Sequence, residues 1–230
     1  WSAPVQVLTG APFGAQHACD PSVIYRAGGW PTAGGWPWLM AVNFANGDTG
    51  NRVALAVSMD GVTWTPTGVQ LSYALPGCQA PTGYGCGQFS MVHVAGRFYA
   101  TFVRSGSGDD GTFAASSADG LTYYQDAKID ALTSAPDVMY DPVTGWWLFV
   151  RSTATGVDLG HAPSAAGPVY ALDYWVPPPW ACGATQPGFY RSAEGHRLGG
   201  DVLTMLGLPG FDCQHGDPRT DLEAGYWGVP

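Results

Sequence analysis

Charged side chains are scarce in this 230-residue chain, and basic ones are the scarcest. Asp, Glu, Lys and Arg make up 12% of the residues, against about 25% in an ordinary soluble domain. Nine Lys and Arg stand against eighteen Asp and Glu, which gives a net charge of −9. Because phosphate recognition needs a basic surface, this composition excludes nucleic acid as an expected partner.

Several other features are missing. No apolar run approaches the roughly 18 residues of a membrane-spanning segment, so we expect no membrane span. The chain has no Gly-x-Ser-x-Gly and no Walker-type loop, which disfavours a serine hydrolase and a nucleotide-binding site. The absence of a CxxC pair disfavours a zinc knuckle or a thioredoxin-type site.

Five cysteines lie in loops rich in Gly and Pro. With the low charge, they predict a secreted or otherwise extracytoplasmic protein with two disulfides and one free thiol. Cys78–Cys86 would close one local loop and Cys182–Cys213 another, but sequence alone leaves the connectivity open.

A short polar phrase recurs along the chain and indicates a repeat fold. Ser58–Trp64 returns as Ser117–Tyr123 and, more diverged, as Ser164–Tyr170. Each copy is a turn followed by an aromatic residue and a run typical of a strand. The abundance of Gly, Pro and aromatic residues fits many short strands joined by tight turns. Together these features predict an all-β propeller, with four antiparallel strands in each blade.

The inner strands of the predicted blades share a loop, then a β-branched or aromatic run. Their four copies are Asp20–Tyr25, Gln88–His93, Ala135–Tyr140 and Gln186–Arg191. We therefore predict one domain over 1–230, with blades at about 20–72, 88–129, 135–176 and 186–230. Five blades is the alternative, since the gap between the first two copies has room for a degenerate one. Residues 1–8 resemble Trp64–Leu71 and are expected to close the ring as a strand near Gly225–Trp227.

The repeated phrase resembles the Asp box of sialidases and other propeller proteins. Asp20–Val23, and Ala135–Val138 followed by Gly145–Trp147, resemble blade openings in the five-bladed glycoside hydrolases of the arabinanase/β-xylosidase and invertase/levansucrase group. The resemblance implies a hydrolase with three carboxylates. Asp20 would be the general base, Asp137 would orient the substrate, and Glu194 would be the acid. Asp60 and Asp119, by the same resemblance, bind their own turns and are structural.

Inner strands converge on the axis of a propeller, so the residues at their entry should face one another across a funnel. Asp20, Gln88, Ala135 and Gln186 hold this place, with Asp137 nearby. The candidate substrate-binding residues are His17, Gln88, Gln186, Trp36, Trp180 and His215. A metal site of His17, Asp20, Asp212 and His215 is conceivable, but the spacing does not support it, and no metal or cofactor is expected.

Three functions remain open at this point. The first is a secreted carbohydrate-active hydrolase that takes a small molecule or glycan in its funnel. The second is a glycan-binding or adhesion propeller without catalysis, which predicts aromatic pockets between blades. The third is a metal-dependent or lyase-type enzyme, which requires His17 or His215 to face the axis. The sequence does not indicate an oligomeric state.

Overall fold

The computed structural model describes residues 7–46, 49–71, 75–78, 84–131, 136–153, 156–175, 185–189, 191–198, 202–209 and 220–227. The fold is all-β, as predicted. Within these ranges the helical elements are two 3₁₀ turns, Ala11–Phe13 and Pro31–Ala33.

The first two predicted blades are two antiparallel meanders of four strands each. The first sheet contains β1 His17–Tyr25, β2 Trp38–Asn46, β3 Thr49–Ser58 and β4 Thr65–Gln70. The second sheet contains β5 Gly85–Val94, β6 Arg97–Ser105, β7 Gly111–Ser117 and β8 Tyr124–Asp130. A single parallel bridge between Asn51 and Gly85 joins the two sheets.

The rest of the chain continues the pattern. The third sheet contains β9 Pro136–Tyr140, β10 Trp147–Ser152, β11 Val157–Ala162 and β12 Tyr170–Trp175. In the fourth, the described strands are β13 Thr185–Phe189, β14 Val202–Pro209 and β15 Thr220–Trp227. The inner strands of successive sheets lie side by side, with β1 against β5, β5 against β9 and β9 against β13.

The recurring polar phrase is the turn between the third and fourth strands of a sheet. In the first copy, Asp60 Oδ1 accepts hydrogen bonds from the backbone N–H groups of Val62 and Thr63. Asp119 binds Leu121 and Thr122 in the same way. These bonds, with one from Ser58, hold the pKa of Asp60 at about 2. Both carboxylates therefore bind the backbone of their own turns, as the resemblance to the Asp box implies.

Hydrophobic packing fills the spaces between neighbouring sheets. Ile24, Leu55, Phe89 and Phe102 belong to a core shared by the first and second sheets. Val92, Val138 and Phe149 belong to a second core, which joins the second and third sheets. The inner strand β5 is thus packed on both sides, and this fixes the position of the residues at its entry.

Among the described residues, the stretch between the first two inner strands contains no sheet besides the first one. It contains β2, β3 and β4, and only residues 71–84 separate β4 from β5, too few for another four-stranded blade. The total number of blades and the closure of the ring remain predictions, because residues 1–6 of the proposed closing strand lie outside the described residues.

One of the two expected disulfides is present. Cys78, in the connection between the first two sheets, forms a bridge with Cys86 on β5, and both are buried. The prediction that all five cysteines lie in loops is therefore wrong for Cys86 and also for Cys19, which lies on β1. Cys182 and Cys213, the second expected pair, lie outside the described residues. Cys19 is a free, exposed cysteine. Among the described residues, no helix has the length and apolar character needed to cross a membrane.

Candidate functional site

A cavity of about 240 Å³ opens where the four inner strands begin. Each of the four described sheets contributes to its wall, so their strand entries converge as predicted. The cavity is lined by Asp20, Pro21, Ser22, Val23, Gln88, Phe89, Ser90, Pro136, Asp137, Gly188 and Arg191. Three of the predicted site residues, Asp20, Gln88 and Asp137, are therefore brought together.

Asp20 and Gln88 occupy equivalent, irregular positions. The register of β1 against β2 shifts between Cys19 and Ser22, and that of β5 against β6 shifts between Gly87 and Ser90. At these bulges the backbone is left-handed, with φ of 47° at Asp20 and 53° at Gln88. Bulges of this kind re-aim side chains and occur beside active sites, where backbone strain also collects.

The carboxylate of Asp20 has a defined local setting. The side-chain amide of Asn43 donates to its Oδ2 across 2.9 Å. The exposed Cys19 lies next to it, and local desolvation together with the charge and hydrogen bonding of Asp20 raises the pKa of the thiol to about 11. Cys19 is thus a neutral thiol at physiological pH and a poor nucleophile. No ion pair to Asp20 is found in the part of the chain that the structure describes.

Asp137 belongs to a different series, which links each inner strand to the next. Ser22, Ser90 and Asp137 are at equivalent places in β1, β5 and β9, as their pairing with Ala41, Thr101 and Val150 shows. Each side chain accepts a hydrogen bond from a backbone N–H of the following inner strand. The three bonds are Met91 N to Ser22 Oγ (2.8 Å), Val138 N to Ser90 Oγ (3.3 Å) and Phe189 N to Asp137 Oδ2 (2.7 Å).

Arg191 completes this inner layer. Its Nη1 lies 3.0 Å from Asp137 Oδ1 and donates to Ser90 Oγ across 3.1 Å and to the carbonyl of Val138. Its Nη2 lies 3.4 Å from Ser22 Oγ. Asp137 also accepts from the hydroxyl of Ser90 and from its neighbour Val138 N. Both of its oxygens are therefore engaged, and it is held as the partner of Arg191 at the base of the cavity.

The sequence analysis did not single out Arg191. A usable signal is present in the predicted inner strands. Three of them end in Tyr25, His93 and Tyr140, whereas the fourth, predicted at Gln186–Arg191, ends in a permanent cation. A cation in a strand that enters a core needs a partner, and Asp137 is the carboxylate that its guanidinium reaches.

Glu194 is placed at the other end of the inner strands. The loop after Arg191 crosses beneath three sheets. Its successive carbonyls accept hydrogen bonds from equivalent residues, Ala193 O from Tyr25 N (2.8 Å), Glu194 O from His93 N (2.9 Å) and Gly195 O from Tyr140 N (3.1 Å). Asp20 and Tyr25 are five residues apart on β1, so the two ends are separated by roughly 16 Å. Glu194 is thus not brought together with Asp20 and Asp137.

The side chain of Glu194 faces His93 instead. Its Oε2 lies 3.3 Å from His93 Nδ1. Burial lowers the pKa of His93, although the neighbouring Glu194 opposes this shift. Gly195 fits beneath β5 because it has no side chain, since a Cβ there would lie 3.0 Å from Val92 Cγ2. The pair therefore lies at the end of the inner strands that residues 193–195 cover, which we call the closed end.

The remaining predicted residues are not placed at the cavity by the described part of the structure. His17 is exposed at the start of β1 and is not among the cavity residues. Trp36 packs against the core of the first two sheets. Gln186 lies in β13, but its side chain, like Trp180, Asp212 and His215, is outside what the structure describes. Within the described ranges, no cluster of three or more His, Cys, Asp or Glu is arranged to hold a metal.

An ion pair at the closed end predicts acid sensitivity. Asp141 is buried and accepts hydrogen bonds from Val143 N (2.9 Å), Thr144 Oγ1 (2.9 Å) and Arg197 Nη1 (2.8 Å). Burial acts to raise the pKa of Asp141, but these donors outweigh it and hold the pKa below its usual value. The unfolded chain, where an Asp titrates near about 3.9, therefore binds the proton more readily. This contribution to stability is complete above that pH and is lost as the pH falls through the lower, folded pKa.

We expect Asp141→Asn to be less stable than wild type at pH 7 by about 1–3 kcal/mol, because it loses hydrogen bonds to a charged acceptor. It should also lose less stability than wild type between pH 5 and pH 2.5. Urea unfolding at several pH values measures both effects. Asp173→Asn, at an exposed carboxylate on β12, is the control that should follow wild type. An Asp141→Asn protein with the full acid sensitivity of wild type would contradict this assignment.

Comparison with solved structures identifies the fold as that of propeller glycosidases. An α-L-arabinofuranosidase from Lactobacillus brevis matches with a TM-score of 0.63 and 12% identity, over 92% of this chain and 72% of that one. A family 117 glycoside hydrolase from Zobellia galactanivorans matches with a TM-score of 0.60 and 13% identity, over 90% and 66%. The chain spans about two thirds of the length of such proteins.

The same fold also occurs with a different chemistry. An N-acetylgalactosamine deacetylase from F. plautii, solved with blood group B trisaccharide, matches with a TM-score of 0.60 and 10% identity, over 91% of this chain and 66% of that one. No protein-family model matches the sequence, and no curated protein does either. At these identities the comparisons show the fold alone, so activity has to be argued from the cavity.

Proposed function

We propose that this protein is an extracytoplasmic glycoside hydrolase that cleaves a terminal neutral sugar in the cavity at Asp20. The observation that carries the proposal is the meeting of Asp20, Gln88, Asp137 and Arg191 in one cavity at the entry to the inner strands. The disulfide between Cys78 and Cys86 supports the extracytoplasmic location, because such bonds persist in oxidising compartments.

In this proposal Asp20 is the general base. It takes a proton from a water molecule whose oxygen attacks the anomeric carbon. The bond from that carbon to the glycosidic oxygen breaks, and the aglycone leaves with the electron pair as an anion that takes up a proton from solvent, while Asp20 returns its proton to solvent. Attack by water from the face opposite the leaving group inverts the anomeric configuration. Gln88 has an amide that can both donate to and accept from sugar hydroxyls.

The charges and size of the cavity limit the substrate. The charges of Asp137 and Arg191 compensate each other, so the cavity carries the net negative charge of Asp20. The chain as a whole has a net charge of −9. An anionic sugar would be repelled there, which favours a neutral one. The cavity of about 240 Å³ is smaller than the roughly 300–1,000 Å³ typical of pockets for drug-sized ligands. It suits one sugar ring at a chain end.

The proposal is tested with neutral aryl glycosides. Both oxygens of Asp137 are engaged and Glu194 lies at the far end, so activity should be highest when the leaving group needs no protonation. We expect nitrophenyl glycosides of at least one neutral sugar to be cleaved faster than the phenyl glycosides of the same sugar. Proton NMR of the first product should show the inverted anomer. Retention of configuration, or no cleavage across the panel between pH 4 and 8, would contradict the proposal.

A glycan-binding propeller without catalysis is the second candidate. Asp137 is bound by Arg191, Ser90 and two backbone N–H groups. This favours the second candidate, because a carboxylate held in this way can line a binding site but has no oxygen left for proton transfer. This candidate predicts glycan binding without turnover, and binding that survives the loss of the Asp20 charge. A glycan array run on wild type and Asp20→Asn separates the two functions.

A further inference from the structure

The side chain of Asn43 is buried beneath Asp20 in an unusual place. Asn43 lies on β2, opposite Cys19 on β1, and is fully buried. Its Nδ2 donates to Asp20, while its Oδ1 is buried and has no hydrogen-bond partner among the residues that the structure describes. An ionised carboxylate can accept hydrogen bonds but cannot donate them, so the amide must direct its NH₂ group at Asp20. Burial of the unpaired oxygen costs stability, and this cost comes with the orientation in which the amide nitrogen binds Asp20.

The second sheet shows that the position of Asn43 can be occupied by an apolar residue. In the second sheet, Gly87 pairs with Val103 as Cys19 pairs with Asn43. Val103 is buried like Asn43, but the residue at its strand entry is the neutral Gln88. The buried amide therefore occurs in the sheet that carries the carboxylate, whereas the sheet that carries a neutral amide has a valine.

The neighbouring sheet leaves space for this amide. A Cβ at Gly87 would lie 2.5 Å from Asn43 Nδ2 and 2.6 Å from Tyr84 Oη. Glycine at position 87 is thus needed for the close approach of both groups. Burial and, after it, the charge of Asp20 raise the pKa of Tyr84, which keeps its hydroxyl protonated.

We propose that Asn43 is a positioning residue that holds the carboxylate of Asp20 in its working orientation, with Gly87 providing the room for it. The proposal rests on the proposed function, in which Asp20 is the base. Asn43 does not touch the substrate in this account and acts only through Asp20. Misplacement of a base by about 1 Å is enough to cost on the order of 100-fold in rate.

The kinetic test uses Asn43→Val, which places in β2 the residue that the repeat already accommodates in β6. We expect kcat to fall about 10- to 100-fold, with KM changed less than about threefold. Gly87→Ala should act in the same direction, because its methyl group displaces the amide. In the Asp20→Asn background, Asn43→Val should change the rate less than about twofold. An equal loss in both backgrounds would show a general structural role and overturn the proposal.

A structural readout keeps this test separate from the test of the function. Crystal structures of wild type and Asn43→Val should show Asp20 in one orientation in wild type and rotated or divided between orientations in the variant. An unmoved Asp20 carboxylate in a folded Asn43→Val protein would overturn the positioning role, whether or not activity is found. A wild type that cleaves no glycoside while Asp20 moves in the variant would overturn the function alone.

Discussion

Replacing Arg191 by methionine is expected to lower the free energy of unfolding by about 3–5 kcal/mol. The guanidinium contacts β1 at Ser22, β5 at Ser90 and β9 at Asp137 and Val138. Methionine retains much of the volume but leaves the Asp137 carboxylate at the base of the cavity without its cation. The two side chains are largely, not fully, buried, and removing one partner from such an ion pair is costly because the remaining charge is uncompensated.

Urea unfolding measures this loss, and two matched variants establish its cause. Arg97→Met removes an exposed arginine that donates to Ser116 and should cost less than about 1 kcal/mol. The double variant Asp137→Ser/Arg191→Met removes both charges and gives β9 the serine found at the equivalent places of β1 and β5. We expect it to recover more than half of the loss. A single Arg191→Met variant as stable as wild type would show that the central ion pair does not hold the inner strands together.

The architecture was predictable because its signals are local. The turn around Asp60 is specified by a few consecutive residues that bind one another, and it recurs at Asp119. Such turns alternate with apolar runs along the chain, and this alternation predicts the order of the strands without any contact between distant residues. Asp20 and Gln88 met at the cavity for the same reason, since each begins an inner strand at a bulge.

The parts of the site that the sequence did not reveal depend on distant contacts. Arg191 reaches Ser22 over 169 positions of sequence, and no neighbouring residue marks that contact. Asn43 lies within an apolar strand, where its link to Asp20 appears only once the two strands are in register. Glu194 illustrates a related difficulty, because both ends of an inner strand are loops and the sequence pattern does not distinguish the cavity end from the closed end.

The replacement of Asp20 by asparagine is expected to lower the rate of glycoside cleavage by about 10²–10⁴-fold, while substrate binding is largely kept. Asparagine has nearly the same shape, still offers an oxygen to the amide of Asn43, and tolerates the left-handed backbone that Asp20 adopts at φ 47°. The substitution thus removes a proton acceptor with little change to the fold. Stability should fall by no more than about 1 kcal/mol.

The role of Asp20 as the base of a glycosidase in this cavity is tested by comparing kcat and KM of wild type and Asp20→Asn on one aryl glycoside. Asp60→Asn is the matched control, since Asp60 lies in an exposed turn and accepts hydrogen bonds from that turn. We expect kcat to be lower by about 10²–10⁴-fold for Asp20→Asn at similar KM, and wild-type rates for Asp60→Asn. Full activity in a folded Asp20→Asn protein would contradict this role.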